Sequence, residues 1–369
     1  MAATILAIGL VTLAYCYLGG MKAVVYGDAI QMGLLLVGLA VCTLVGLERL
    51  GGWQAFTAQV APSRLVAVDF SGWGVGDDRG FGFWPILIGG LFLYCAYYGA
   101  DQSQAQRLLS ARDAKTVRRT LLASGLLRFP ITACYCLMGL ILGTLAAQAD
   151  DATSRVIAEQ PDLLVPLFVR DALAPGLTGL LIVAIFSAAM SSVSSAINSL
   201  SAASVEDFLL PRAGYNDRAY MRLSHGTTLF WGVVCLGLAF VTGHLADTLI
   251  EAINKIGSVF FGPLLATFVS AILWPRIDAR GANAGLVAGV AVNVGLWLFV
   301  PALFWFWWNV TGALACWAVA GAVSAPQAAH TAERRRPQLD WHWPSIALLA
   351  AWFGLVVGVS ASLPVWLAD

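Results

Sequence analysis

The sequence predicts an all-α integral membrane protein with about ten transmembrane helices. Three observations carry this. Of 369 residues, 59% are hydrophobic and only 11% charged, which excludes an ordinary soluble domain. Apolar runs of roughly 17 to 25 residues recur along the chain, each long enough to cross a bilayer. Finally, the basic residues sort to alternate loops. With the turn at Lys22 placed in the cytoplasm, fourteen fall inside: Lys22, Arg107, Arg112, Lys115, Arg118, Arg119, Arg212, Arg218, Arg222, Arg276, Arg280, Arg334, Arg335 and Arg336. Five fall outside: Arg49, Arg64, Arg79, Arg155 and Arg170. That asymmetry sets both the number of spans and their orientation, with both termini external.

The runs centre near residues 11, 35, 92, 130, 187, 233, 261, 291, 314 and 355. The first, "MAATILAIGLVTLAYCYLGG", has no basic leader and reads as a span, not a cleaved signal. Gly19, Gly20 and Lys22 then make a tight cytoplasmic turn, and Asp28 enters the second span. An acid there either caps the start of that helix or serves a site inside the membrane. The external connections 47–80 and 148–174 are long. In the second, "PDLLVPLFVRDAL" has the mixed character of a short helix lying over the outer mouth, or of a plain covering segment.

The third span carries Pro85, Gly89 and Gly90 and ends in "YCAYYGADQSQAQRLLSARDAKTVRR". A broken helix beside Tyr97 and Tyr98 suits a solute site near the midplane; a packing kink with an interfacial aromatic pair is the plainer alternative. In the fifth span, "SAAMSSVSSAINSLS" places Ser187, Ser191, Ser194, Asn198 and Ser201 on one helical stripe, with Ser192, Ser195 and Ser199 beside it. Scattered small residues usually serve helix packing; eight polar side chains in fifteen residues point instead to an ion or solute path.

The seventh span holds Lys255, the deepest charge. Glu251, one turn earlier, is in the favourable order for an ion pair; alternatively Lys255 and Asn254 face a pocket. Arg128 reads as another buried cation, neutralised by Asp28 or Asp101. All seven cysteines fall in apolar segments without metal-ligand partners and read as small buried hydrophobes. The basic stretch "AERRRPQ" reads as a topology anchor.

The stretches "YLGGMKAVVYGDAIQ", "YYGADQSQAQRLLSA" and "AAMSSVSSAINSLSAASVEDF" resemble, in order, three signatures of the solute:sodium symporter family. The resemblance extends from residue 1 to about residue 290. It implies the leucine-transporter-like fold of two inverted five-helix repeats, and sodium as the coupling ion with no other cofactor. Ala188 (through its carbonyl), Ser191 and Ser192 match the positions that bind the family's first sodium. Asp28, Ser194 and Ser195 match those of a second sodium held by some members. Sodium takes oxygen ligands, which fits this set. Tyr97, Tyr98, Asn254 and Lys255 are the candidate solute contacts; a lysine there favours a carboxylate and makes a sugar doubtful.

On the same resemblance the first span matches the family's fourth core helix, so the first core helices are lacking. The chain is a single polytopic domain: 1–46 the remainder of the first repeat, 81–275 the second repeat, 280–369 peripheral helices. The expected function is sodium-coupled secondary symport of a small solute, an organic anion for preference, in the cell membrane. The chain is otherwise an inactive fragment of such a transporter, completed by a portion encoded upstream. Its partners are the lipid bilayer and the solute, with no nucleic acid. A non-transporting membrane sensor is the alternative, and dispersed histidines argue against an enzyme.

Overall fold

The structure, a computed structural model, describes residues 2–76, 81–149, 151–209, 216–241, 249–274, 276–324 and 341–366. Arg79, Arg212, His244, His330 and the basic run 334–336 lie outside the described residues. The α-helices are α1 (Ala2–Leu50), α2 (Trp53–Gln59), α3 (Phe83–Gly99), α4 (Gln102–Leu109), α5 (Ala114–Ala146), α6 (Asp151–Glu159) and α7 (Leu164–Ala172). They continue with α8 (Pro175–Ala203), α9 (Asp217–Val241), α10 (Leu249–Leu273), α11 (Ala279–Phe299), α12 (Phe306–Val323) and α13 (Trp343–Trp366).

Eight helices among the described residues are long and apolar enough to cross a membrane, and α3 with α4, bent by 49°, makes a ninth. That count takes α1 as one helix, yet Gly20 within it has φ 54° and ψ −151°. A side chain there would be strained, so the chain breaks at a glycine. The two limbs of α1 raise the number to ten, as the apolar runs predict. The break lies in the predicted turn. Asp28 sits two turns beyond it, past the unpaired amides of a helix start, so the capping role is corrected: this acid belongs to the helix interior.

The chain divides into two compact units. The first, essentially 1–64 with 127–248, holds α1, α2, the second part of α5 and α6 to α9. Its core joins Cys42 of α1, Val169 of α7 and Leu181 of α8. The predicted short helix in 148–174 is α7, which buries Val169 and receives a hydrogen bond from Arg49 Nη2 to the Ala172 carbonyl at 2.7 Å. Close approach of α1 to α8 requires Gly38, where a β-carbon would lie 3.3 Å from that of Ala184.

The second unit, essentially 65–126 with 249–367, holds α3, α4, the start of α5 and α10 to α13. Gly281, Gly285 and Gly289 recur every fourth residue along α11, and all are buried. They let α11 lie against α12: a β-carbon at Gly285 would come 2.5 Å from the Cys316 carbonyl oxygen, and one at Gly289 2.6 Å from that of Gly312. Buried amides tie each of these helices to α10. Asn293 Nδ2 donates to the Val259 carbonyl at 2.9 Å, and Asn309 Nδ2 to Ser258 Oγ at 3.0 Å. Nothing in the apolar pattern of these spans singled out the two asparagines.

Of the cysteines, Cys16, Cys42 and Cys316 are buried, but Cys95, Cys134 and Cys136 are exposed. The expectation of uniform burial is corrected. An apolar, weakly polar thiol is as well suited to a lipid-facing position as to a core.

Candidate functional site

The hydroxyl face of α8 meets α1 in the first unit. Tyr15 Oη donates to the Met190 carbonyl at 3.2 Å, and the Cys16 thiol to the Ser194 carbonyl at 4.0 Å. Asn198 Nδ2 reaches Cys16 Sγ at 3.8 Å. Tyr15 and Cys16 are in turn within electrostatic reach of Asp28 on the other limb of α1. The kink at Gly20 thus brings the acid of one limb of α1 and, through Tyr15 and Cys16 of the other, the hydroxyl-rich α8 into one neighbourhood.

Along α8 the serines bond back onto their own helix. Ser192 Oγ donates to the Ala188 carbonyl at 3.3 Å, while Ser194 and Ser195 Oγ donate to the Ser191 carbonyl at 3.0 and 2.8 Å. Ser199 Oγ donates to the Ser195 carbonyl at 2.7 Å. Each hydroxyl hydrogen is thereby directed at a carbonyl, which leaves oxygen lone pairs pointing away from the helix. Such oxygens suit a hard cation.

The ladder is not uniform. Ser187, Ser194, Ser199 and Ser201 are buried, Ala188, Ser191, Ser195 and Asn198 are half-buried, and Ser192 is exposed. Ser201 Oγ lies 2.7 Å from Thr227 Oγ1 and 3.1 Å from Thr228 Oγ1 of α9, so at that end the plain packing role holds. The predicted first-site residues occupy one stretch of α8. Ser194 connects to the neighbourhood of Asp28 through Tyr15 and Cys16.

Thr12 and Gln31 were not singled out by sequence. Thr12 Oγ1 and Gln31 Oε1 are buried with no hydrogen-bond partner among the described residues, and Asp28 Oδ1 is buried too. Gln31, three residues after Asp28, lies near the Tyr15 hydroxyl. An amide in an apolar span, one turn from an acid, was the available signal.

The second unit carries the other candidates. Tyr97 Oη accepts from Gln104 Nε2 of α4 at 2.7 Å, and Tyr98 Oη lies 3.2 Å from Ser124 Oγ of α5. The rings of Tyr97 and Tyr98 meet edge to face at 5.3 Å. Tyr98→Phe is expected to lower stability by about 1 kcal/mol, read by thermal melting, because it removes one half-buried hydrogen bond. Asn254 and Lys255 are both half-buried on α10.

Among the described residues Lys255 makes no ion pair with Glu251. Lys255 Nζ instead stands 5.9 Å from the ring centre of Trp297 on α11, which itself stacks on Trp308 of α12. An indole face offers a cation favourable electrostatics without a second charge to desolvate. Arg128 is exposed, not buried. Asp101, proposed to neutralise it, caps α4 by accepting from the Ser103 amide at 2.8 Å.

A profile of the Sodium:solute symporter family matches residues 1–289. The chain is 34% identical over 295 residues to sodium-coupled monocarboxylate transporter 2 of Mus musculus, covering 79% of this chain and 47% of that protein. It is 32% identical over 301 residues to sodium-coupled monocarboxylate transporter 1 of Homo sapiens, covering 81% and 48%. The chain therefore spans about half the length of these relatives. A solved structure of a Na+-coupled sialic acid symporter, substrate-bound and outward-open, superposes with a TM-score of 0.69 at 23% identity, over 87% of this chain and 66% of that one. That likeness establishes the fold, helical and multi-pass in the membrane. From the profile match and the extent of identity, this chain belongs to the sodium:solute symporter family.

Proposed function

We propose that this chain supplies the sodium-binding helix and part of the solute path of a sodium-driven symporter for a small monocarboxylate. The observation that carries the proposal is the serine ladder of α8, whose hydroxyls donate to their own helix and leave oxygen lone pairs for a cation. In this reading the Ala188 carbonyl, Ser191 and Ser192 hold one sodium. Asp28, Ser194 and Ser195 hold a second, with Tyr15, Cys16 and Gln31 positioning the carboxylate. A low-charge cage of carbonyl and hydroxyl oxygens binds sodium weakly enough to release it. The two relatives named as monocarboxylate transporters support an organic acid as the solute. Tyr97, Tyr98 and Asn254 are its proposed contacts, and Lys255 on α10 supplies the positive charge that favours a carboxylate.

Solute and sodium bind from the outside, the path closes, and both leave inside; no covalent step is needed. Ser192 is exposed, and polar oxygens facing lipid are unfavourable. The proposal therefore includes a further helix laid over this face, encoded upstream or supplied by a partner chain. Two measurements test the whole. In proteoliposomes holding the chain with any upstream-encoded portion, an inward sodium gradient is expected to drive accumulation of labelled lactate, and an equal potassium gradient is not. Lys255→Gln is expected to raise the half-saturating lactate concentration about tenfold, the loss of roughly 1.4 kcal/mol from a charge-assisted contact. Uptake indifferent to sodium would overturn the proposal, and unchanged saturation in Lys255→Gln would remove that lysine from it.

A further inference from the structure

We propose that a groove between the first turns of α5 and α13 binds the phosphate headgroup of an anionic phospholipid from the cytoplasmic leaflet. The groove measures about 590 Å3 and belongs wholly to the second unit. Lys115 and Arg118 of α5 form one wall, Trp341 and His342 the other, and Leu121 and Leu349 lie deeper. The sorting of basic residues between loops puts this end of both helices on the cytoplasmic side, where anionic lipids attract clustered cations.

Three features match a lipid better than a free anion. The cations are three residues apart on one helix and so project to the same side, and neither is in an ion pair among the described residues. The neighbouring carboxylate, Asp113, is turned to its own helix, accepting from the Thr116 amide at 2.6 Å. His342 is held in place at the wall, its Nδ1 2.7 Å from Ser345 Oγ.

The second feature is the pair Trp341 and Trp343, stacked at 6.0 Å and 59% and 68% exposed. Indoles at a helix entry, uncovered by protein, settle at headgroup depth in a bilayer. The third is the floor. Leu121 of α5 and Leu349 of α13 lead onto the apolar span of α13, none of whose described residues is buried inside the protein. Two cations and paired indoles above an open apolar slot have the polarity profile of a phospholipid, with the phosphate at the rim and acyl chains along α13. The inference is independent of the solute and sodium sites.

The test is native mass spectrometry of the full chain released from detergent, with phosphatidylglycerol, phosphatidylcholine or inorganic phosphate added. Phosphatidylglycerol is expected to be retained over phosphatidylcholine. Removing each cation is expected to reduce that retention roughly fivefold, so Lys115→Gln with Arg118→Gln loses most of it. The swap Lys115→Arg with Arg118→Lys should retain it and shows that loss is not misfolding. Arg218→Gln with Arg222→Gln, on another cytoplasmic helix end, should also retain it. Equal retention of the two lipids, undiminished retention in the double Gln variant, or full displacement by millimolar phosphate would each overturn the proposal.

Discussion

Asp28→Asn is expected to raise the sodium concentration that half-saturates thermal stabilisation about 100-fold or more. The acid lies in the interior of the second limb of α1, with Oδ1 buried and with Tyr15 and Cys16 nearby. An acid inside a membrane span marks an ion path by default. Removing one partner of a buried charge pair costs roughly 3 to 5 kcal/mol, which sets the scale of the loss. Asparagine keeps the shape and one oxygen, so the limb should fold and melt in potassium much as the parent does. Because the stabilisation equals RT ln(1 + [Na+]/Kd), the shift is read directly from melting across a sodium series. An unchanged midpoint would assign Asp28 to the fold alone and leave any sodium to the α8 residues.

Gly289→Val is expected to cost about 3 kcal/mol or to prevent folding. A β-carbon at this position would lie 2.6 Å from the Gly312 carbonyl oxygen and 2.9 Å from Pro263 Cγ. Neither a main-chain oxygen nor a proline ring can rotate aside, so α11 must part from α12 and α10 together. Overpacking a close helix contact of this kind costs typically 1 to 3 kcal/mol, and valine adds two methyl groups beyond the first clash. The comparison variant is Gly295→Ala, one and a half turns along the same helix, where nothing lies within 4 Å of a new β-carbon. Alanine there should hold or slightly raise the melting temperature, given its better helix propensity. Equal melting of the two variants would contradict the close seam between α11 and α12.

The ten spans, the turn at Gly20 and the hydroxyl face of α8 were legible in the sequence because each depends on local pattern: apolar run length, a glycine pair, the 3.6-residue period. Distances along one helix proved a poor guide to partners. Glu251 and Lys255 are correctly spaced for an ion pair, yet Lys255 turns to Trp297 on α11, a contact set by packing between helices. For the same reason the serines did not separate by role in the sequence. Ser201 packs against Thr227 and Thr228 of α9, whereas Ser192 stays exposed. Cys16, read as a small hydrophobe, is buried as expected but also links Ser194 to Asn198 through its sulfur. Gln31 and Thr12 went unnoticed because a lone amide or hydroxyl hardly disturbs an apolar run.

The most direct measurement of the central claim is equilibrium binding of radioactive sodium to the purified chain together with any upstream-encoded portion, with unlabelled sodium or potassium as competitor, for the parent and for Ser191→Ala with Ser192→Ala. The account predicts binding in the parent that sodium displaces and potassium does not. It also predicts loss of that binding in the double variant, with melting in potassium unchanged. Sodium bound equally by both proteins, or displaced equally by potassium, would contradict α8 as the sodium-binding helix.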